Sequence, residues 1–261
     1  ASLQPIGTTE RSRATIGFLT TALPSSPSTI FEPNATLEVE TIAPELGFEN
    51  TDIVGLAAGA NRLQIGEEVL QFQSANALGG SHWRLCGLLR GRAGTEDSAL
   101  NGHAIQSSAV LLNSQLTELA VPELFPDSAT RIAAIGRGDE EAVTASIANP
   151  GLSRRPLTPV HPRKSTYPNS SVEYCWTRRA RGQWQWGYGD DVPLVEQTES
   201  YLIGYGEPSN PKVKFESQHN SISFSQAERE NLVAQHGAGQ IWVCQIGTYG
   251  RSNALLLDEF N

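Results

Sequence analysis

Thr36-Leu37-Glu38-Val39-Glu40 alternates polar and apolar side chains, and Val69-Leu70-Gln71-Phe72-Gln73 alternates in the same way from Leu70 onward. Successive side chains on a β-strand point to opposite faces, so this alternation places Leu37 and Val39 on one face of the first stretch, and Leu70 and Phe72 on one face of the second. Such a pattern is typical of a half-buried antiparallel strand. The two stretches therefore predict a sheet with one face on a core and the other toward water.

Further short strand-like runs lie around these two, separated by breaks rich in Gly and Pro. The runs predicted in the first half are Ala14–Thr20, Ala35–Ile42, Arg62–Ile65, Val69–Ala75, His82–Leu89, Ala104–Leu112, Arg131–Ile135 and Ala142–Ile147. Regular spacing with hairpin-sized breaks predicts an all-β fold, either an antiparallel β-sandwich or a barrel-like domain.

A cluster of residues that break secondary structure, Asn149-Pro150-Gly151-Leu152-Ser153-Arg154-Arg155-Pro156, lies near the middle of the 261-residue chain. The charge balance also changes there: residues 1–150 carry 17 acidic and 8 basic side chains, and residues 151–261 carry 11 of each. A chain of this length suits two domains. We therefore predict domains over 1–150 and 151–261, joined by this cluster.

The second domain repeats the pattern of short strands. The predicted strands are Val172–Thr177, Ser200–Gly204, Val213–Glu216, Ser221–Phe224, Gln240–Ile246 and Ala254–Leu257. Six or seven short strands over 151–261 are typical of an immunoglobulin-like or fibronectin type III-like sandwich. Ser225-Gln226-Ala227-Glu228 fits a capping box, which predicts one short helix over Gln226–Ala234 that ends near Gly237 and bridges two strands.

Composition excludes several classes of protein. No apolar run is long enough to span a membrane. The acidic first half argues against nucleic acid as a partner, because phosphate binding needs Lys and Arg. Cys86, Cys175 and Cys244 show no CxxC spacing, which excludes a disulfide framework and a zinc site. Buried reduced thiols are expected, with Cys175 facing Cys244 inside one sandwich as the alternative.

Motifs of catalysis are absent from the sequence. There is no Gly-x-Ser-x-Gly elbow, no phosphate-binding loop and no HExxH, and the glycine pairs do not complete a dinucleotide fingerprint. The adjacent carboxylates, such as Asp190-Asp191, would point to opposite faces of a strand and would not form a catalytic pair. We predict no enzymatic activity, no metal and no cofactor.

The candidate binding residues lie in one stretch, Trp176–Tyr188, which holds three Trp, one Tyr and three Arg. One interpretation is a recognition surface in which aromatic rings stack on sugars, or Trp and Arg anchor a protein partner. The other is structural: Trp176 belongs to the core, and the remaining rings cover the sandwich with an arginine stacked on them. The candidate binding residues are Trp184, Trp186, Tyr188, Arg178 and Arg181.

A second dense stretch, Trp83–Glu96, runs from an apolar strand into a Gly-rich turn. We expect Gly91 and Gly94 to adopt backbone angles that other residues resist, and Arg90 to pair with a carboxylate. A phosphate-binding nest is the alternative.

Several stretches resemble the C-terminal region of the baseplate hub protein of gene transfer agents and of related siphophage tail-tip proteins. They are Glu67–Phe72, Trp83–Glu96, Arg155–His161, Trp176–Arg181 and Val192–Glu196. Their order and approximate spacing match as well, and the resemblance extends from about Gly59 to the end of the chain.

This resemblance implies a structural protein of the virion, at the distal tip of the tail, present in the host cytoplasm during assembly. It implies that the chain acts as an adaptor that holds tail fibres or other tip components, within a hub that is a homotrimer when intact. The alternative is a module that binds glycan on the host surface through Trp184, Trp186 and Tyr188.

The second domain also resembles fibronectin type III. Ile241–Gly247 and Tyr249–Ser252 are similar to its penultimate strand and the turn into the last one. The tyrosine usual at the corner before that strand would fall near Gly239 and is absent, so we expect the predicted helix to cap this corner.

Overall fold

The computed structural model describes residues 7–9, 12–28, 30–117, 130–147, 154–181 and 192–261. Contacts divide the chain into two compact units, Ala1–Leu152 and Ser153–Asn261. The described parts of both units are built from antiparallel strands with a few short helices, which confirms the all-β prediction.

Six antiparallel strands close the first unit into a barrel. In chain order they are β1 (Ile16–Leu19), β2 (Phe31–Thr41), β3 (Arg62–Ile65), β4 (Glu68–Gly79), β5 (His82–Arg92) and β6 (Ser108–Leu111). Around the barrel the order is β1-β2-β5-β4-β3-β6, and β1 closes the ring by pairing Gly17 with Ala109 of β6. Of the two architectures that the sequence left open, the barrel is the one formed.

The barrel core contains Leu37 and Val39 of the first alternating stretch and Leu70 and Phe72 of the second, whereas Val69 is only half-buried. Leu37, Val39, Leu70 and Phe72 are each at most 1% exposed. The sequence pattern predicted that the polar residues of these stretches face water. Gln71 departs from this prediction, because its side chain points away from the barrel core and is nevertheless fully buried. A short helix that the sequence pattern did not predict, α1 (Ile53–Ala57), lies over β4 on the side of Gln71. The Gln71 amide donates hydrogen bonds of 3.0 and 2.7 Å to the carbonyls of Leu56 and Ala60.

Two further elements of the first unit are a helix, α2 (Glu96–Asn101), which the sequence did not predict, and a hairpin, whose two strands it did predict. The hairpin joins β7 (Thr130–Ala134) to β8 (Val143–Ile147). Within the described residues these two strands pair only with each other. A lone two-stranded ribbon has little stability of its own in water.

The second unit is a sandwich of two antiparallel sheets. Its strands are β9 (Val160–Thr166), β10 (Val172–Thr177), β11 (Tyr201–Glu207), β12 (Asn210–Ser217), β13 (Ser221–Phe224), β14 (Gly239–Gly247), β15 (Gly250–Arg251) and β16 (Leu255–Phe260). One sheet has the order β13-β10-β9, and the other has β12-β11-β14 with β15 and β16 both pairing with β14. Three strands opposite four, with the last strand split in two, make a fibronectin type III-like sandwich.

The sandwich core confirms the predicted facing of β10. Val172, Tyr174 and Trp176 are each at most 2% exposed and pack against residues of the opposite sheet, including Tyr201 and Phe260. Strand β9 was not predicted, because Pro162, Arg163 and Lys164 give it no apolar alternation. Pro and Lys are typical of an edge strand, which is where β9 lies.

Helix α3 (Gln226–His236) begins as the sequence predicts. Ser225 accepts a hydrogen bond from the backbone N–H of Glu228, whose carboxylate accepts one from the backbone N–H of Ser225, and this completes the capping box. The helix connects β13 to β14. The corner after it is fastened by Tyr205, whose hydroxyl donates a 2.6 Å hydrogen bond to the Gly237 carbonyl, so a tyrosine of β11 serves where the usual one is missing.

The three cysteines are free thiols. Cys244 is buried, and burial raises its pKa to about 11, so it stays protonated. Cys86 and Cys175 are only half-buried, which corrects the expectation that all three are buried. Cys175 lies on the solvent-facing side of β10, whereas Trp176 lies on the side that faces the core. Cys175 forms no disulfide with Cys244.

Candidate functional site

The predicted binding residues are only in part within the described residues. Trp184, Trp186 and Tyr188 lie outside them. Arg178 and Arg181 follow directly after β10 and are described, and both contact the segment 192–199, which leads into β11. The two ends of the stretch between Arg181 and Val192 are therefore held close together.

Arg178 is the more buried of the two arginines, with its side chain 8% exposed. It donates hydrogen bonds to the backbone carbonyls of Val192 and, at 3.3 Å, of Pro193. Its Nε lies 3.6 Å from the carboxylate of Glu199, which in turn accepts a 2.6 Å hydrogen bond from the hydroxyl of Tyr201. This arginine joins the ends of β10 and β11 through backbone and side-chain contacts.

Arg181 makes the second contact. Its Nε donates a 2.7 Å hydrogen bond to Oε1 of Glu196, whose Oε2 accepts a 2.9 Å hydrogen bond from the backbone N–H of Thr248. Thr248 lies in the turn between β14 and β15. The Glu196 carboxylate therefore connects the segment before β11 to that turn, and Arg181 supplies its counter-charge.

The electrostatics of Glu196 follow from these contacts. Burial opposes ionisation of this carboxyl, but the hydrogen bonds from Arg181 and from the Thr248 N–H outweigh burial and hold its pKa below the usual 4.5. A carboxylate with such a pKa in the folded state stabilises the fold above its unfolded-state pKa. That stabilisation is lost as pH falls through the lower, folded-state pKa.

We expect replacement of Glu196 by glutamine to weaken the acid dependence of stability. From pH 7 to pH 3 the urea midpoint of the second unit should fall less in Glu196→Gln than in the wild type, because the variant has no carboxylate to protonate. The exposed Glu216 provides the matched control, since Glu216→Gln should leave the acid dependence close to that of the wild type. Equal acid dependence in all three proteins would contradict the assignment.

Exposed apolar side chains lie beside this arginine–glutamate network. Val192, Leu194 and Val195 are 37 to 41% exposed, and Tyr249, next to Thr248, is 63% exposed. The guanidinium of Arg154 lies over the Tyr249 ring, 5.1 Å from its centroid. We call the surface formed by Arg154, Arg155, Val192, Leu194, Val195 and Tyr249 the loop end.

The sequence did not single out Tyr249 or Arg154 as binding residues, because 95 positions separate them along the chain. The turn between β14 and β15 places Tyr249 against Arg154, and its Thr248 N–H binds Glu196, which directly follows the segment 192–195. Arg155 is held nearby by a 3.4 Å hydrogen bond to the side chain of Asn253. A Cβ at Gly247 would lie 2.4 Å from Cγ of Pro156, so the chain after Arg155 packs tightly against the end of β14.

A groove lies elsewhere on the second unit, between α3, β9 and β16, with a volume of about 650 Å³. Its carboxylate Asp258 accepts hydrogen bonds from Lys164 at 2.5 Å and from the Tyr174 hydroxyl at 2.6 Å. Burial opposes ionisation of Asp258, but these donors lower its pKa. The carboxylate thus connects the two sheets of the sandwich.

In the barrel, a buried polar cluster explains the Gly-rich turn. Arg90 binds Glu68 through two hydrogen bonds of 2.7 and 2.9 Å, and His103 Nε2 lies 2.7 Å from the same carboxylate. This confirms that Arg90 pairs with a carboxylate. Gly91 has a φ of +59° and donates its N–H to Glu68. Both carboxylate oxygens of Glu68 therefore have partners, and the cluster connects β4 to β5 and to His103.

Two features are absent from the described ranges of the chain. In those ranges no three His, Cys, Asp or Glu side chains are grouped so as to hold a metal ion. None of the helices there has the length and apolar character needed to cross a membrane.

Comparison with known proteins gives one match to a family model. Residues 14–110 match the family described as Rcc01698-like, C-terminal, and Rcc01698 is a gene related to the gene transfer agent of Rhodobacter. These residues include the first five strands of the barrel and all but the last residue of β6, and they are a little over a third of the chain. Among curated proteins, none matches the chain.

Solved structures with some likeness to this chain include three multidomain fragments. Domains d3–d4 of rat CD45 are 7% identical over 57% of this chain and 71% of that one, with a TM-score of 0.28. Titin domains A168–A170 are 10% identical over 95% and 98%, with a TM-score of 0.26. Domains FN1–FN3 of chicken CNTN1 are 11% identical over 92% and 67%, with a TM-score of 0.25. The match of the barrel to the Rcc01698-like family is consistent with a protein associated with gene transfer agents.

Proposed function

We propose that this chain is a structural adaptor at the distal tip of a phage or gene transfer agent tail, where it attaches fibres or other tip components through protein contacts. The observation that carries the proposal is the match of residues 14–110 to the Rcc01698-like family. It agrees with the resemblance of the stretches Glu67–Phe72 and Trp83–Glu96 to the tail-tip hub proteins.

The chemistry of the described residues supports a role without catalysis. Glu68 is fully buried, but Arg90 neutralises it and its oxygens already accept hydrogen bonds from the barrel. Glu196 and Asp258 are likewise engaged with Arg181 and Lys164. A general acid or base must be free to exchange a proton with a substrate, and these carboxylates serve the fold instead.

The proposal places the protein in the virion at the tail tip, and in the host cytoplasm during assembly. Its partners are tail fibre or tip proteins, and the intact hub forms a homotrimer. The acidic first unit favours a partner with basic residues, because long-range attraction raises the rate of association. Nucleic acid is not among the proposed partners, for the same reason of charge.

The test is capture of purified proteins by the full chain. Each structural protein encoded beside this one is offered singly to the immobilised chain, and we expect at least one fibre or tip protein to bind. Loss of capture in Trp184→Ala/Trp186→Ala would place the contact on the second unit. Tyr167→Ala removes an exposed ring elsewhere on that unit and should leave capture unchanged.

Two other results would contradict the adaptor function. If none of these proteins binds while the chain binds a host glycan on an array, the alternative of a glycan-binding module replaces the adaptor. If neither binds, both functions are wrong.

A further inference from the structure

The loop end has the side-chain chemistry of a protein-binding surface. Arginine and aromatic residues are enriched among the residues that carry binding energy, and aliphatic side chains around them exclude water. Tyr249 is exposed with Arg154 stacked on it, and the exposed Leu194 and Val195 directly precede Glu196, whose carboxylate binds the N–H of Thr248 next to Tyr249. This places an apolar patch and a cation on one surface.

The backbone beneath this patch is held in place before any partner arrives. Arg178 and Arg181 fasten the segment 192–199 to the end of β10, and Glu196 fastens it to the turn after β14. A surface that is already ordered loses less conformational entropy when it binds a partner. The exposed residues of the loop end are therefore presented on a rigid base.

The charges of the loop end indicate what it binds. Neither Arg154 nor Arg155 has a carboxylate within ion-pair distance among the described residues, whereas Glu196 and Glu199 are already engaged with Arg181 and Arg178. Among the described residues of this surface, the positive charge is thus available to an incoming group and the negative charge is not. Complementary charge requires an acidic partner.

We propose that the loop end of the second unit binds an acidic, apolar-rich segment of a partner protein, with Arg154 paired to a partner carboxylate and Tyr249 packed against a partner aliphatic or aromatic side chain. This inference rests on the proposed adaptor function and names the partner's chemistry and the surface that receives it. It concerns a different surface from the acidic first unit, which attracts basic groups.

The experiment measures the affinity of full-chain variants for the tail protein captured in the test of function. We expect Arg154→Glu and Tyr249→Ala each to weaken binding by about tenfold or more. Two matched controls lie elsewhere on the same unit: the exposed Lys214 on β12, as Lys214→Glu, and the exposed Tyr167 beyond the opposite end of β10, as Tyr167→Ala. Both should stay within about twofold of the wild type.

A photo-crosslinker identifies the bound segment directly. With p-benzoyl-phenylalanine in place of Tyr249, crosslinks should join to a partner peptide rich in Asp and Glu, and in place of Tyr167 they should not. Capture that is unaffected by Arg154→Glu and Tyr249→Ala would overturn this inference and leave the adaptor function standing. Crosslinks from position 249 to a second copy of this chain would also overturn it, and failure to capture any tail protein would refute both.

Discussion

We expect replacement of Glu68 by alanine to lower the free energy of unfolding of the barrel by about 3–5 kcal/mol. Glu68 is fully buried, and the side chain of Arg90 is 2% exposed, so the variant leaves a guanidinium without its counter-charge inside the barrel. It also leaves the Gly91 N–H without its acceptor. Burying an unpaired charge costs far more than losing an exposed ion pair.

Hydrogen exchange of the full chain is the measurement, because peptides of β4 and β5 report the barrel separately from those of the second unit. Glu67 is the matched control: it is the adjacent glutamate and is exposed, so Glu67→Ala should change stability by less than about 0.5 kcal/mol. The double variant Glu68→Leu/Arg90→Met removes both charges and should be less damaging than Glu68→Ala alone. Similar losses for Glu67→Ala and Glu68→Ala would refute the role of the pair.

The second large effect is expected at Gly204, in the middle of β11. A Cβ at this position would lie 2.0 Å from Cζ2 of Trp242 on the neighbouring strand β14. The indole is itself fixed, because its Nε1–H donates a 2.8 Å hydrogen bond to the Gly206 carbonyl and the ring is 1% exposed. We therefore expect Gly204→Ala to lower the free energy of unfolding of the second unit by about 3 kcal/mol.

A double-mutant cycle isolates the cause. Trp242→Ala alone should cost about 3–5 kcal/mol, since it removes a large buried ring. In that background Gly204→Ala should cost little further, because the atom that it strikes is gone. Hydrogen exchange of the β11 and β14 peptides measures the stability of each variant. If the losses of stability in the two single variants add in the double variant, the contact between Gly204 and Trp242 is not the cause of the effect of Gly204→Ala.

Local features of this fold were predictable from the sequence. The bounds of β10 and the capping box of α3 follow from side chains within a few positions of one another, so the sequence alone determines them. The partner of Arg90 was not predictable, although the pairing was, because Glu68 meets it only through the register of β4 against β5. Strand β9 and the burial of Gln71 likewise depend on neighbours distant in sequence.

The candidate site shows the same division. Arg178 and Arg181 were singled out from composition, and the structure shows that their guanidinium groups face the segment 192–199. Tyr249 gave no signal, since one tyrosine in a turn is common. Only the fold of the sandwich brings Arg154, Val195 and Tyr249 onto one surface.

The fastening of residues 192–199 to the end of β10 has a consequence for how this protein can diversify. The sandwich holds the two ends of the insert between Arg181 and Val192 through contacts made by residues at its margins. New sequences can therefore be exchanged between these two points while β10 keeps its pairing with β9 and β13, and β11 keeps its pairing with β12 and β14. Sequence variation between these two points is in this way kept apart from the contacts that stabilise the sandwich.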